Sequence, residues 1–341
     1  LSLLLMVAGR ILLSGSSLFG GWALGSPMFF AAIGGLLLVV LGYGMYMPAS
    51  YAAVRLFTTK KNAAMGYAML YALMNLGAFL PGIISPRIRM VYGIRGVFWI
   101  YTAMTAVSVL FILFIMTKRA VTAATVVGPE PAAGKETKPK EAFHFRTWWK
   151  EHPLRDVKFS FFIFILIPVQ TLFAHNWLTL PQYVERSFPG WVSQNMELFV
   201  NINPLLIFIL TPIATALTHK VDVYRMMIIG TLVMAVPTFF LALGPNVVFL
   251  FAFILLMSAG EAMWQPRFLQ LAAELAPEGK TGQYMGIAQF PWFLTKLITS
   301  MYSGYMLSVY CPEGGPFNTE LLWFIYGCIA VISPIALFFS R

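Results

Sequence analysis

Charged residues are scarce in this chain: they make up 11% of its 341 residues, whereas 59% are hydrophobic. Soluble domains carry about 25% charged residues. A chain this apolar cannot cover its surface with polar groups when it folds in water. The scarcity of charge therefore argues against a soluble enzyme or binding domain and indicates a protein whose solvent is the lipid bilayer.

Cysteine and the common catalytic motifs are lacking as well. The only two cysteines, Cys311 and Cys328, give neither a disulfide framework nor a metal-binding spacing. No phosphate-binding glycine loop, H-E-x-x-H or G-x-S-x-G occurs. We therefore expect no ATPase, no enzyme, no metal and no cofactor. The net charge of +10 sits in short loops between apolar segments, so we expect no nucleic acid partner.

Long apolar segments follow one another along the whole chain. A spanning helix needs roughly 20 apolar residues, and runs of this length must be helices because the bilayer offers no partners to an open backbone. We predict an all-α membrane protein with ten transmembrane helices. The predicted spans are 2–20, 29–54, 63–85, 95–117, 159–184, 196–219, 223–243, 247–273, 281–309 and 319–340.

A polar segment, residues 118–158, divides these spans into four and six. Its composition predicts disorder in the first half. In the second half, Trp148 and Trp149 fit an interfacial helix or, equally, a flat loop. The segment carries nine Lys and Arg, and placing it inside puts most other basic loops inside too. We therefore predict a multi-pass protein of the cell membrane with a cytoplasmic linker.

Residues 67–81, YAMLYALMNLGAFLP, place a polar Asn75 within a segment of membrane length. Tyr71 lies one helical turn earlier, so the two side chains share a face. With Tyr67 and Gly77, the run resembles the fifth-helix signature of the proton-dependent oligopeptide transporters, a family of major facilitators. The resemblance implies that Tyr71 and Asn75 line the solute path. The alternative is that Asn75 only joins two helices.

The resemblance also implies a fold. Major facilitators have two six-helix halves joined by a cytoplasmic linker. Four plus six spans then suggest a fragment that lacks the first two of twelve helices. On this count residues 1–117 are the remainder of the N-terminal half, 118–158 are the linker and 159–341 are the C-terminal half. Tyr71 falls on the fifth helix, where the family has it.

A carboxylate lies inside the predicted span 247–273. Residues 260–277, GEAMWQPRFLQLAAELAP, resemble the family's tenth-helix signature and contain Glu261. An ionisable residue within a span is a functional hypothesis by default. A low-dielectric environment disfavours the charged form of a carboxylate, so Glu261 could carry a proton. The resemblance implies that it holds a substrate amine, and the alternative is a paired structural charge. Residues 201–213, NINPLLIFILTPI, resemble the family's eighth-helix motif and add Asn203 to the cavity.

Lys296 is predicted to lie at the depth of Glu261. Glu261 precedes Glu274, near the inner end of the helix, by 13 residues, or roughly 20 Å, and Lys296 follows Thr281 by 15 residues, or roughly 22 Å. We hypothesise that Glu261 and Lys296 pair or exchange partners during transport and so couple it to protons. Trp264 and Trp292 are candidates for the cavity wall.

Residues 41–50, LGYGMYMPAS, resemble the family's fourth-helix pattern Gly-x-Gly-x-x-Lys-Pro-Asn. Gly42 and Gly44 would permit close helix packing. Met47 stands where the family has Lys, and Ala49 where it has Asn. In the family that Lys helps to handle the substrate carboxylate and the proton. Its loss weakens the case for an ordinary peptide mechanism.

Four charged residues near the inner helix ends are candidate gates. Residues 219–227, HKVDVYRMM, resemble a weak copy of the major-facilitator inner-loop motif. There Asp222 and Arg225 would clasp helix ends, and an ordinary basic loop is the alternative. Arg267 and Glu274 lie nearer the inner end of the Glu261 helix and form a second candidate pair.

Together these features predict a secondary transporter that moves small peptides with protons by alternating access. The proton gradient would supply the energy, and we expect a monomer in the lipid bilayer. One alternative is a facilitator for another small solute, such as an amino acid, nitrate or a drug-like compound. Another is a membrane sensor that binds a solute without moving it.

Overall fold

The computed structural model describes residues 1–21, 23–59, 61–125, 152–277 and 279–340. Within these ranges the regular structure is helical and no strand occurs, which confirms the predicted all-α membrane fold. The α-helices are α1 (Ser2–Gly15), α2 (Pro27–Phe57), α3 (Ala63–Ile115), α4 (Lys118–Ala124), α5 (Val157–Phe164), α6 (Ile167–Leu178), α7 (Leu180–Ser187), α8 (Trp191–Gln194), α9 (Met196–Thr218), α10 (Val223–Ala235), α11 (Thr238–Leu241), α12 (Val247–Glu274), α13 (Thr281–Ala288), α14 (Phe290–Tyr310) and α15 (Thr319–Phe339).

Seven helical segments in the described residues are long and apolar enough to cross a membrane. They are Pro27–Phe57, Ala63–Ile115, Val157–Leu178, Met196–Thr218, Val223–Leu241, Val247–Glu274 and Thr319–Phe339. The predicted count of ten is not established by length and composition. The first apolar segment, Ser2–Leu18, is shorter than a span. The predicted span 281–309 is divided at Gln289 into α13 and α14.

Helix α3 is 53 residues long and covers two predicted spans, 63–85 and 95–117. Gly93 interrupts its helical geometry, with φ of 63° and ψ of −172°. A positive φ is accessible to glycine because it has no Cβ. Two helices therefore meet at this kink without a separate loop.

The chain divides into two compact units. The first comprises Leu1–Thr59 and Leu80–Ala132. In it, α1 packs along α2, and a Cβ added at Gly42 would lie 2.6 Å from the carbonyl oxygen of Ser2. This confirms the close approach predicted at Gly42. The other predicted position, Gly44, has nothing within 4 Å.

The second unit comprises Lys60–Phe79 and Ala133–Arg341. Helix α12 packs in it against α9 and α10. Gly230 of α10 and Gly260 of α12 face each other, and a Cβ at Gly260 would lie 2.3 Å from a backbone nitrogen of α10. Only residues without a side chain permit this approach. This crossing fixes α12 against α10 at the residue next to Glu261.

The predicted domain boundaries at 117 and 159 stay a prediction. Residues 126–151 of the predicted linker, with Trp148 and Trp149, lie outside the described residues. At the start of that linker, Lys118–Ala124 is a helix rather than the predicted disordered segment. The hydroxyl of Thr117 caps it by accepting from the backbone N–H of Ala120, which satisfies one of the free donors of its first turn.

Candidate functional site

Glu261 lies near the middle of α12, a 28-residue helix that begins after Asn246. The Asn246 side chain caps the helix by accepting from the backbone N–H of Val248. Pro266 lies in the same helix and has no N–H to donate, so one backbone carbonyl is left free about one turn earlier, close to Glu261. The carboxyl side chain is buried, with Glu261 only 3% exposed.

Both carboxyl oxygens of Glu261 accept a hydrogen bond. The hydroxyl of Tyr71 donates to Oε1 over 2.6 Å. The Nδ2 of Asn203 donates to Oε2 over 3.2 Å. Three of the residues predicted from separate motifs, on α3, α9 and α12, therefore meet at one buried carboxyl group inside the second unit.

Ser258, one turn before Glu261 on α12, orients the Asn203 amide. Its hydroxyl donates to the carbonyl oxygen of Ile254 over 2.7 Å, so it accepts from the Nδ2 of Asn203 over 2.9 Å. An amide NH2 has two hydrogens, and these go to Ser258 and Glu261. The network therefore holds Asn203 as a donor towards the carboxyl group.

The two donors differ in what they permit when Glu261 binds a proton. An amide NH2 only donates, so Oε2 must stay an acceptor towards Asn203. A tyrosine hydroxyl both donates and accepts. A proton on Glu261 therefore belongs on Oε1, where Tyr71 turns from donor to acceptor. The site can hold the carboxyl group in either protonation state with the same heavy atoms.

Asn75 lies one turn after Tyr71 but does not contact Glu261. Its Nδ2 donates to the backbone carbonyl oxygen of Tyr71 over 3.0 Å, and the residue is half-buried. This hydrogen bond lies within α3 and does not join Asn75 to another helix. Its role in lining a solute path stays a prediction.

Both predicted tryptophans contact the ring of Phe173. The Trp264 ring is fully buried at 6.1 Å from the Phe173 ring, and its indole N–H donates to the sulfur of Met234. Trp292 stacks on the Phe173 ring, with the ring centroids 4.7 Å apart. A continuous aromatic wall therefore leads from the Glu261 helix to α14.

Lys296 lies on α14 and does not pair with Glu261 in this structure. No ion pair joins the two among the described residues, and the Glu261 oxygens bond to Tyr71 and Asn203 instead. Lys296 lines a separate cavity with Trp292. The hypothesis that the two charges exchange partners during transport stays a prediction.

Two of the four predicted gating residues line another cavity, of about 330 Å³. Asp222 and Arg267 both lie in its wall. Asp222 caps α10, since its carboxylate accepts from the backbone N–H of Arg225. The side chain of Arg225 is exposed. The predicted role of Asp222 and Arg225 in clasping helix ends stays a prediction.

Arg267 and Glu274 are connected through a residue that lies between them. The Nη1 of Arg267 donates to Oε1 of Gln270 over 3.1 Å, and Nε2 of Gln270 donates to Glu274 over 2.8 Å. The Nη2 of Arg267 also donates to the carbonyl oxygen of Thr218, the last residue of α9, over 2.9 Å. Arg267 thereby joins the ends of two helices.

A metal site finds no support in the described residues, where no group of three His, Cys, Asp or Glu lies together. The buried His175 is instead bonded on both sides. Its ring nitrogens lie 2.9 Å from the Thr179 hydroxyl and 3.0 Å from that of Tyr302, and its ring stacks on Tyr326. It is a hydrogen-bonded core residue.

Four neighbours of the predicted site residues were not themselves predicted as site residues: Ser258, Phe173, Gln170 and Gln270. Ser258 and Gln270 had a usable signal, because each stands three or four residues from a predicted site residue on the same helix. Gln170 was visible as a polar residue inside the predicted span 159–184, whereas Phe173 had no signal. They reach the site from α6, and their sequence distance from α12 and α14 hides the contact.

The sequence profile of the Major Facilitator Superfamily matches residues 2–289 and 173–341. No curated protein matches the chain. A POT family transporter, solved with a thioalcohol-conjugated peptide, superposes with a TM-score of 0.62 at 19% identity, covering 100% of this chain and 80% of that one.

Two further solved structures have the same fold. The fucose:proton symporter FucP of E. coli superposes with a TM-score of 0.70 at 13% identity, covering 98% of this chain and 82% of that one. The human organic anion transporter MFSD10 (TETRAN) gives a TM-score of 0.64 at 15% identity, with 97% and 76% covered. At these identities the likeness shows the fold alone.

Proposed function

The chain belongs to the Major Facilitator Superfamily, and we propose that it is a proton-coupled symporter of small peptides. With its apolar helices, the family makes it an integral multi-pass membrane protein and a secondary transporter rather than an enzyme. The proposal includes protons as the coupling ion and peptides as the solute. It also includes a monomer without a cofactor, located in the cell membrane with the 118–158 linker on the cytoplasmic side.

The observation that carries the proposal is the set of partners around Glu261. Two neutral donors, Tyr71 and Asn203, hold its carboxyl group, and no cationic side chain among the described residues bonds to it. A buried charge without an opposite charge is costly. Such a carboxylate is favoured when it binds a proton or the cationic group of a solute. In the proposed cycle, Glu261 therefore alternates between a free carboxylate and a form that has bound a proton or the cationic group of the solute.

Tyr71 links that change of state to movement. The sequence assigns Tyr71 to the N-terminal helical half and Glu261 to the C-terminal half. Alternating access rocks one half against the other. In the structure both residues lie in the second compact unit, so the proposal requires the 2.6 Å bond from Tyr71 to Oε1 to lengthen or break when the halves rock. A proton on Oε1 reverses the direction of this bond, so protonation and rocking act on the same contact.

A different small solute is the second candidate, and Met47 favours it. The peptide transporters have a Lys at this position that handles the substrate carboxylate, and a methionine cannot do so. The similar solved proteins named above carry a peptide, fucose and organic anions, so the fold accommodates all three classes. Solute identity therefore has to be measured.

The test is uptake by the full-length protein in liposomes with an inward proton gradient. We expect a labelled dipeptide to enter only with the gradient, and uptake to fail in Glu261→Gln. The matched control is Glu197→Gln, an exposed carboxylate in the first turn of α9, which should transport normally. Gradient-driven uptake of an amino acid or nitrate but not of the dipeptide would replace peptides as the solute. Undiminished uptake in Glu261→Gln would reject Glu261 as the coupling group.

A further inference from the structure

A cavity of about 430 Å³ lies between α6 and α14 in the second unit. It is separate from the bonded carboxyl group of Glu261 and is not explained by proton coupling. Its lining combines one cation, uncharged polar groups and aromatic rings. The lining residues are Gln170, Phe173, Ala174, Trp177, Leu178, Trp292, Thr295, Lys296 and Ser300.

Lys296 is the charge in this cavity, and it lies within a membrane-length helix. A lysine facing lipid inside the bilayer is costly, whereas one facing a water-filled cavity is not. Exposed apolar residues of α14 that recur every four positions are Phe293, Leu297, Met301 and Tyr305, and Phe290, Ile298 and Val309 are exposed as well. Lys296 lies about 100° around the helix from Leu297, on the stripe that it shares with Trp292 and Ser300. Lys296 is exposed and lines the cavity, so its ammonium group is open to a solute there.

Gln170 supplies a second donor to the same cavity. The residue is 0% exposed, and its Nε2 has no hydrogen-bond partner among the described residues. Its Oε1 is already used, because the Thr295 hydroxyl donates to it over 3.3 Å. A buried NH2 group without a partner costs free energy, so an acceptor at this point would be favoured. An amide donor and an ammonium group in one cavity suit an anion.

Aromatic rings form the rest of the wall. Phe173 and Trp292 stack with their ring centroids 4.7 Å apart, and Trp177 lies at the rim with 55% of its surface exposed. Such rings bind an apolar or aromatic group by burying its surface. Inorganic anions would gain nothing from them. The cavity therefore fits an organic anion.

We propose that this cavity binds the carboxylate of the solute, with Lys296 and Gln170 as donors and the aromatic rings around its adjoining apolar group. The inference rests on the proposed transport function and names the solute class: small organic carboxylates with an apolar or aromatic substituent. It also gives a reason why Met47 is tolerated. The cation that handles the carboxylate is on α14 in this chain.

The test measures binding rather than transport, so it is independent of proton coupling at Glu261. The probes are 3-phenylpropanoate and its neutral amide, 3-phenylpropanamide. Each is titrated against the purified full-length protein, and the shift of the thermal unfolding midpoint gives the dissociation constant. We expect the carboxylate to bind at least about tenfold more tightly than the amide, because charge-assisted hydrogen bonds form only with the carboxylate.

The variants separate the subsite from a general effect of charge. Lys296→Gln should remove the preference for the carboxylate, and Lys296→Arg should keep it. Lys158→Gln, which removes an exposed lysine outside the cavity, is the matched control and should behave as the wild type. Gln170→Met keeps the side-chain length without the donor and should weaken the preference in a second, independent way.

Three results would overturn the subsite: equal binding of the two probes, no binding of the carboxylate, or an unchanged preference in both Lys296→Gln and Gln170→Met. Binding of the carboxylate with the expected variant pattern, but without uptake of any dipeptide, would keep the subsite and reject only the peptide assignment. Dipeptide uptake without selective binding of the carboxylate would keep the peptide assignment and reject the subsite.

Discussion

The helix crossing at Gly260 allows a sharp test of how Glu261 is positioned. In Gly260→Ala, the new Cβ would lie 2.3 Å from the backbone nitrogen of Met234 and 2.7 Å from the carbonyl oxygen of Gly230. Ordinary contacts of a Cβ begin at 3.4 Å, so α12 must move away from α10 by about 1 Å. Overpacking of this kind costs about 1–3 kcal/mol of unfolding free energy. Because Glu261 is the next residue, the shift also stretches its bonds to Tyr71 and Asn203.

The assay is thermal unfolding in detergent together with gradient-driven uptake in liposomes. We expect Gly260→Ala to unfold at a lower temperature and to transport more slowly. The control is Gly304→Ala on α14, where an added Cβ meets nothing within 4 Å. Alanine favours a helix over glycine by up to about 1 kcal/mol, so this control should be as stable as the wild type or more stable. A Gly260→Ala protein as stable and active as Gly304→Ala would refute the close crossing.

Three further predictions concern single contacts. Tyr71→Phe removes the donor to Glu261. Because a hydrogen bond to a charged group contributes about 1.5–3 kcal/mol, initial rates of gradient-driven uptake should fall about tenfold or more. Unchanged rates would show that the bond plays no part in transport. Arg267→Met removes the donors at the end of α9 and should lower the thermal unfolding midpoint measurably, whereas an unchanged midpoint would mean that this joint does not stabilise the fold. Glu313→Gln breaks a 3.2 Å ion pair with Arg186 whose acid is 88% exposed, so the unfolding free energy should change by less than about 1 kcal/mol, and a larger loss would contradict the surface assignment.

The sequence was sufficient for the parts of the fold that depend on local composition. Apolar length alone marks helices, and the polar residues inside those runs marked the site. Tyr71, Asn203 and Glu261 come from three separate motifs, yet they meet at one carboxyl group. Their meeting was predictable because unbonded polar groups inside a membrane helix are costly and must find one another.

The contacts that depend on helix rotation and packing were not predictable. Depth along two helices suggested that Glu261 and Lys296 pair, but equal depth does not fix which way a side chain points. In the structure Lys296 lines the cavity between α6 and α14. Gln170 stands out in the sequence as a polar residue inside a predicted span, but the sequence does not show that its Nε2 lacks a partner in this cavity. The sequence likewise predicted two separate spans, 63–85 and 95–117. In the structure they join at a kink at Gly93, and the apolar pattern does not reveal the backbone geometry of that residue.

One measurement tests the central claim, that Glu261 couples transport to protons, most directly. Exchange of labelled for unlabelled solute without a gradient is compared with gradient-driven accumulation, in the wild type and in Glu261→Gln. A carboxyl group that carries the proton is needed for accumulation but not for exchange. The account predicts that Glu261→Gln keeps exchange and loses accumulation. Accumulation at the wild-type level in Glu261→Gln would contradict it.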